Sequence, residues 1–123
     1  MEKIQKMNLE GYNGLVQGII EQACEDYMHY CKQIQNMVAD KDKFITKMIK
    51  ADKKKKLPIL KTKQDIEREY QAILNMHKYG LIEIEHFFRG DWYKFLTDLD
   101  GEYMIMGLKR KAEERYGIDV DCV

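Results

Sequence analysis

Two pairs of side chains in this chain have the spacing of metal ligands. Glu83-x-x-His86 and Asp26-x-x-His29 each set a carboxylate and an imidazole one helical turn apart, the pairing used by carboxylate-bridged di-iron bundles. A complete site of that kind also needs carboxylates from two further helices, and Glu69 and Glu102 are the residues available for it. The details weigh against it. Aspartate in place of glutamate shortens one arm, and Glu83 and His86 flank Ile84, whose register is core-facing, so both turn toward solvent. They read first as surface polar residues, and no cofactor is expected.

Other catalytic arrangements are weaker still. Cys24 and Cys31 fall within an apolar helical stripe, where a thiol stays protonated and inert. They lie seven residues apart, roughly 10.5 Å along a helix, beyond the roughly 7 Å reach of a disulfide. Cys122 makes the count odd, so reduced thiols in a reducing compartment are expected. Gly90 and Gly101 stand singly at helix joints rather than in a phosphate-cradling loop, and the three cysteines lack zinc spacing. The expectation is a protein without enzymatic activity that works by binding.

Two places offer binding chemistry. Lys50, Lys53, Lys54, Lys55, Lys56, Lys61 and Lys63 supply charge for a phosphate backbone but no base readout, so contact there would be salt-sensitive and sequence-blind. The same run is what a solvated loop looks like, and it could equally dock into an acidic groove of a protein partner. Arg89, within Phe87-Phe88-Arg89-Gly90-Asp91-Trp92, could stack on a ring or pair with Asp91 or Asp98. Tying the helix junction together is the plainer role for it. Tyr27, Tyr30, Tyr70 and Tyr93 read as core or interface rather than as a base-stacking shelf.

The elements that must hold these residues are helical. In 123 residues there are one proline and eight glycines, a length that fits one domain with a core of its own. Charged residues are 34% of the chain, above the usual quarter. Yet 21 basic and 21 acidic side chains cancel, so no global field draws polyanions. Met1 to Lys6 leads into no apolar signal segment, and no run is long enough to span a bilayer. A cytoplasmic protein with no membrane contact is expected.

Residues 1–13 read as a lead-in, with Gly11, Asn13 and Gly14 marking a turn and Asn13 an N-cap. From Leu15 and Val16 through Tyr27, Cys31, Ile34 and Val38, apolar residues keep a three-four spacing that predicts a long helix over about 14 to 39. Asp40-Lys41-Asp42 breaks it, and Phe44, Ile45, Met48 and Ile49 form a short separate helix. Residues 50–62 read as a lysine-rich loop, since Pro58 disfavours helix at Leu57. Thr62 caps a second long helix over about 63 to 89, Gly90 ends it, Asp91 caps a short helix, and Asp100 caps a last one that ends near Gly117. The tail, 118–123, is either a short strand or a frayed end.

The expected fold is all-α: two long antiparallel amphipathic helices carrying a compact, aromatic-rich C-terminal helical cluster. Phe87, Phe88, Trp92, Tyr93, Phe95 and Tyr103 are expected to organise its core, because aromatic side chains bury the largest areas. Three-four stripes on two long helices with eight methionines also leave room for a homodimer.

Three blocks, Ile20-Glu21-Gln22-Ala23-Cys24-Glu25-Asp26-Tyr27, Ile84 to Trp92, and Leu96-Thr97-Asp98-Leu99-Asp100-Gly101-Glu102-Tyr103, together resemble small helical proteins of bacteriophages and integrative elements from Gram-positive bacteria. The resemblance spans about half the chain in three blocks, and residues 40 to 62 look like an insertion. It brings no catalytic residue with it. What it implies is an accessory protein, at work in the bacterial cytoplasm, that binds a host protein or ribonucleoprotein and plausibly blocks a defence nuclease such as a CRISPR effector. Non-specific nucleic-acid binding through the lysine-rich loop is the alternative.

Overall fold

The computed structural model describes residues 2–54 and 62–123, with side chains given for 11, 13–51 and 62–123. Within them lie five helices and no strand: α1 (Glu2–Ala39), α2 (Lys41–Lys54), α3 (Lys63–Arg89), α4 (Asp91–Leu96) and α5 (Gly101–Tyr116). The all-α expectation holds.

The two long helices lie antiparallel, as three contacts in sequence along them show. Tyr70, near the start of α3, donates its hydroxyl to the Met37 carbonyl at the end of α1 (3.0 Å). The Tyr30 ring rests on the backbone of α3 at Gly80, and Ile19 and Ala23 share a hollow with Ile84 and Phe87. α5 then returns beside both. Arg89 pairs with Glu102 and Lys109 with Glu85, which runs α5 antiparallel to α3. Tyr27, Cys31, Ile34, Met37, Phe88, Tyr93 and Ile105 are fully buried between the rods. Each large apolar side chain of this kind stabilises the fold by about 1.5–3 kcal/mol relative to leaving it in water.

Local chemistry sets the joints. Asp40 opens α2: its side chain accepts from the Lys43 amide (3.0 Å) and its carbonyl from the Phe44 amide (3.1 Å). Thr62 and Asp65 form a reciprocal capping box at the start of α3. Asp100 accepts from the Glu102 amide at the start of α5, and Gly117 closes that helix in the left-handed conformation, φ 65°, a region where a Cβ is penalised.

The structure corrects five expectations. α1 starts at Glu2, so residues 1–13 are not a separate lead-in and Asn13 is no cap. A glycine in a helix costs about 1 kcal/mol against alanine, which weakens a helix without breaking it. α2 runs to Lys54, so residues 50–54 of the anticipated loop are helical; lysine is a good helix former, and Pro58 lies further on, at a position outside the described residues. Gly90, not Asp91, is the N-cap of α4, and it has no side chain with which to cap. The tail is neither strand nor frayed. Asp119 turns it by accepting from the Asp121 amide (3.0 Å), and Ile118, Val120 and Val123 pack on the core.

The fifth correction concerns the aromatic run. Phe88 and Tyr93 are buried, but Trp92 is 59% exposed and Phe95 and Tyr103 are each 75% exposed. Helical period explains the division. On α4, Tyr93 and Leu96 are three residues apart and face inward, which turns Trp92 and Phe95, also three apart, to the other side. Aromatic density signalled a junction, not a core.

Candidate functional site

The α3–α4–α5 corner is built to hold a surface still. Phe87, Phe88 and Tyr93 meet edge to face, with centroids 5.2–5.7 Å apart, and fasten α4 to the end of α3. α5 comes so close that the Gly101 α-carbon faces the Phe88 carbonyl with no room for a methyl group. Arg89 bridges the same joint: its Nε donates to Glu102 at 2.5 Å, and Glu85 lies at 4.0 Å. That hydrogen bond raises the arginine and holds the Glu102 carboxyl below the usual carboxylate range. Asp91 and Asp98, expected as partners of Arg89, are not its acceptors.

On the outside of this corner Trp92 and Phe95 stack, centroids 6.4 Å apart and planes 21° from parallel. At the joint between α4 and α5 opens a cleft of about 530 Å³, lined by Phe88, Arg89, Tyr93, Lys94, Asp98 and Asp100 among others but not by the stacked pair. Its polar atoms are partly engaged in shaping the turn, as Thr97 accepts from the Leu99 amide and Asp100 from that of Glu102. From Asp91 to Glu102 there are four carboxylates and one lysine. The corner is an exposed aromatic pair with an acidic border.

The lysines expected to bind lie elsewhere. Lys63 begins α3 and Arg89 ends it, so the two are separated by roughly 39 Å of helix. Lys50 is exposed on α2 and Lys63 is exposed too, while Lys53 and Lys54 belong to the last turn of α2. Lys55, Lys56 and Lys61 lie outside the described residues. Sequence reasoning passed over Lys43 and Lys47, which share a face of α2 with Lys50; their spacing of four and then three residues was the available signal.

No family model matches the chain, and neither a curated protein nor a solved structure does.

The remaining candidates separate. Asp26 and Glu83 border the α1–α3 hollow, whereas His29 lines another with Cys24, Lys111 and Arg115. Among the described residues no three His, Cys, Asp or Glu side chains group to hold a metal ion. Burial pushes the Cys24 thiol up, and burial with Glu85 nearby pushes Cys31 up to about 11. Burial likewise raises Tyr27 and lowers His77. Among the described residues, the hydroxyls of Tyr27 and Tyr93 and Nδ1 of His77 are buried without a hydrogen-bond partner.

Proposed function

We propose that this chain is a non-enzymatic binding protein of the kind carried by bacteriophages and other mobile elements, and that its α3–α4–α5 corner docks on a host nuclease. One observation carries the reading: Trp92 and Phe95, stacked and exposed, sit on a joint fixed by buried aromatics and a close backbone approach. Large aromatics held rigid in water are the residue types that anchor protein interfaces, because little ordering entropy remains to be lost on docking. The acidic border selects the partner's chemistry. Asp91, Asp98 and Asp100 beside two flat rings complement a basic groove of the sort in which a nuclease holds nucleic acid. Occupying that groove would inhibit without any reaction.

The test is cleavage by a guide-loaded CRISPR nuclease of the same host, with and without the protein. Inhibition should appear and be relieved by Trp92→Ala with Phe95→Ala, while Lys47→Gln leaves it intact. Inhibition that the double variant retains would refute the corner as the interface. No inhibition of any nuclease of the host would refute the reading.

A further inference from the structure

We infer that the outward face of α2 is a docking strip for the phosphate backbone of double-stranded nucleic acid, independent of the aromatic corner. Lys43, Lys47 and Lys50 fall at steps of four and three residues, which sets them in one line on a helix. The line is roughly 10.5 Å long from first to last. The acid of the helix's first turn, Asp42, falls off it on the other half of the wheel.

Lys43, Lys47 and Lys50 are exposed and make no ion pair among the described residues. Two lysines elsewhere are engaged: Lys41 reaches Glu67 at 2.7 Å, and Lys109 reaches both Glu85 and Asp121; what sets Lys43, Lys47 and Lys50 apart is that they fall in one line. Like charges three and four apart repel along a helix, so the strip is a standing cost that a polyanion relieves.

The surroundings choose among polyanions. On the opposite side of α2, Phe44 meets the Tyr70 ring edge-on at 5.8 Å and Ile45 packs on the core. The apolar face is thus committed to the protein and is not free to enter a lipid surface. No aromatic side chain lies in the strip, whereas proteins that grip single strands interleave rings with charge to stack the bases. Exposed rings lie off α2, on Tyr79 midway along α3 and on Trp92, Phe95 and Tyr103 beyond its far end. A straight, single-sign line of lysines without rings or amides matches the one feature every duplex repeats, its backbone charge.

The test is fluorescence anisotropy of a labelled mixed-sequence duplex with the full chain. Three phosphate contacts give a slope of about −2.7 in log affinity against log salt, so binding should weaken about 40-fold between roughly 50 and 200 mM salt. Lys43→Gln, Lys47→Gln and Lys50→Gln combined should abolish both binding and slope, with helicity checked by circular dichroism. The matching arginine triple should bind like the wild type, and Trp92→Ala with Phe95→Ala should not change binding. No binding at the lower salt would overturn the inference. So would tighter binding of the single strand, undiminished binding by the glutamine triple, or binding through these lysines to anionic vesicles or polyglutamate but not to duplex.

Discussion

At the scale of single residues, a consequential position can be invisible in the sequence. Gly101 looks like one more helix-joint glycine in the sequence, yet a Cβ there would collide with the Phe88 carbonyl, a backbone atom that cannot step aside. Gly107, in the middle of the same helix, has nothing within 4 Å of where its Cβ would be. The pair makes a controlled comparison. Gly101→Ala should lose about 1–3 kcal/mol, the range of enforced overpacking, while Gly107→Ala should gain about 1 kcal/mol from helix propensity alone. Urea denaturation of both reads the difference, and equal effects would mean that α5 does not approach α3 as described. His77 gives a prediction in pH. Burial, aided by the charge on His29, lowers it from the ordinary 6.5. Below that pH the unfolded chain takes up the proton first, so stability falls as pH drops until the folded pKa is reached. His77→Leu removes the titration, and its melting temperature should fall less between neutral pH and pH 5 than that of the wild type. An identical fall in both proteins would assign the acid loss to other groups.

Elements were more legible than residues, because capping chemistry and apolar period are local. The start of α3 was visible in Thr62 and its end in Gly90, and the break at Asp40 was visible too. What the sequence hid was context. The glycines at 11 and 14 look like a turn, and only the continuous helix around them says otherwise. The lysine run looked like loop because Pro58 is nearby, although the lysines up to Lys54 suit a helix as well as a loop. The six-residue α4 shows the same limit. Four of its six residues are apolar or aromatic, and only the fixed entry angle at Gly90 decides that Tyr93 goes in and Trp92 goes out. The candidate site suffered for it: Arg89 was found but given the wrong partners, and the exposed ring pair was assigned to the core. The capping box is the element-scale feature open to test. Thr62→Ala removes the acceptor of the Asp65 amide and should cost about 1 kcal/mol. Because Phe44 of α2 packs on Tyr70 near the start of α3, the loss should appear as earlier hydrogen exchange at both α2 and the start of α3. Exchange confined to α3 would show that α2 is held by α1 alone.

At the scale of the whole molecule, a net charge of zero conceals a polarity. α2 has six lysines and two aspartates, and it docks at the end of the bundle where α1 finishes and α3 begins, through Lys41–Glu67 and Phe44–Tyr70. The corner, where Arg89 and Lys94 stand against the four carboxylates of Asp91, Asp98, Asp100 and Glu102, lies at the other end of α3. Balanced composition excluded a global field and was silent on a field with two poles. Opposite poles of this kind would draw copies of the chain together end to end. That contact joins two different surfaces, so it does not close into a symmetric dimer but continues along a chain. Its reach depends on screening, since the Debye length shrinks from about 30 Å at 0.01 M salt to about 8 Å at 0.15 M. Light scattering at the lower salt should therefore give a mean mass that climbs smoothly with concentration. At the higher salt, or with Lys43, Lys47 and Lys50 changed to glutamine, the mass should return to that of one chain. A dimer built instead on apolar helix stripes would show one fixed mass and would not weaken as salt rises. That outcome would place the self-association on the helix faces and leave the two poles free for other partners. The end-to-end outcome would mean that duplex at one pole and protein at the other each compete with a neighbouring copy, so both kinds of binding should weaken as protein concentration rises in low salt.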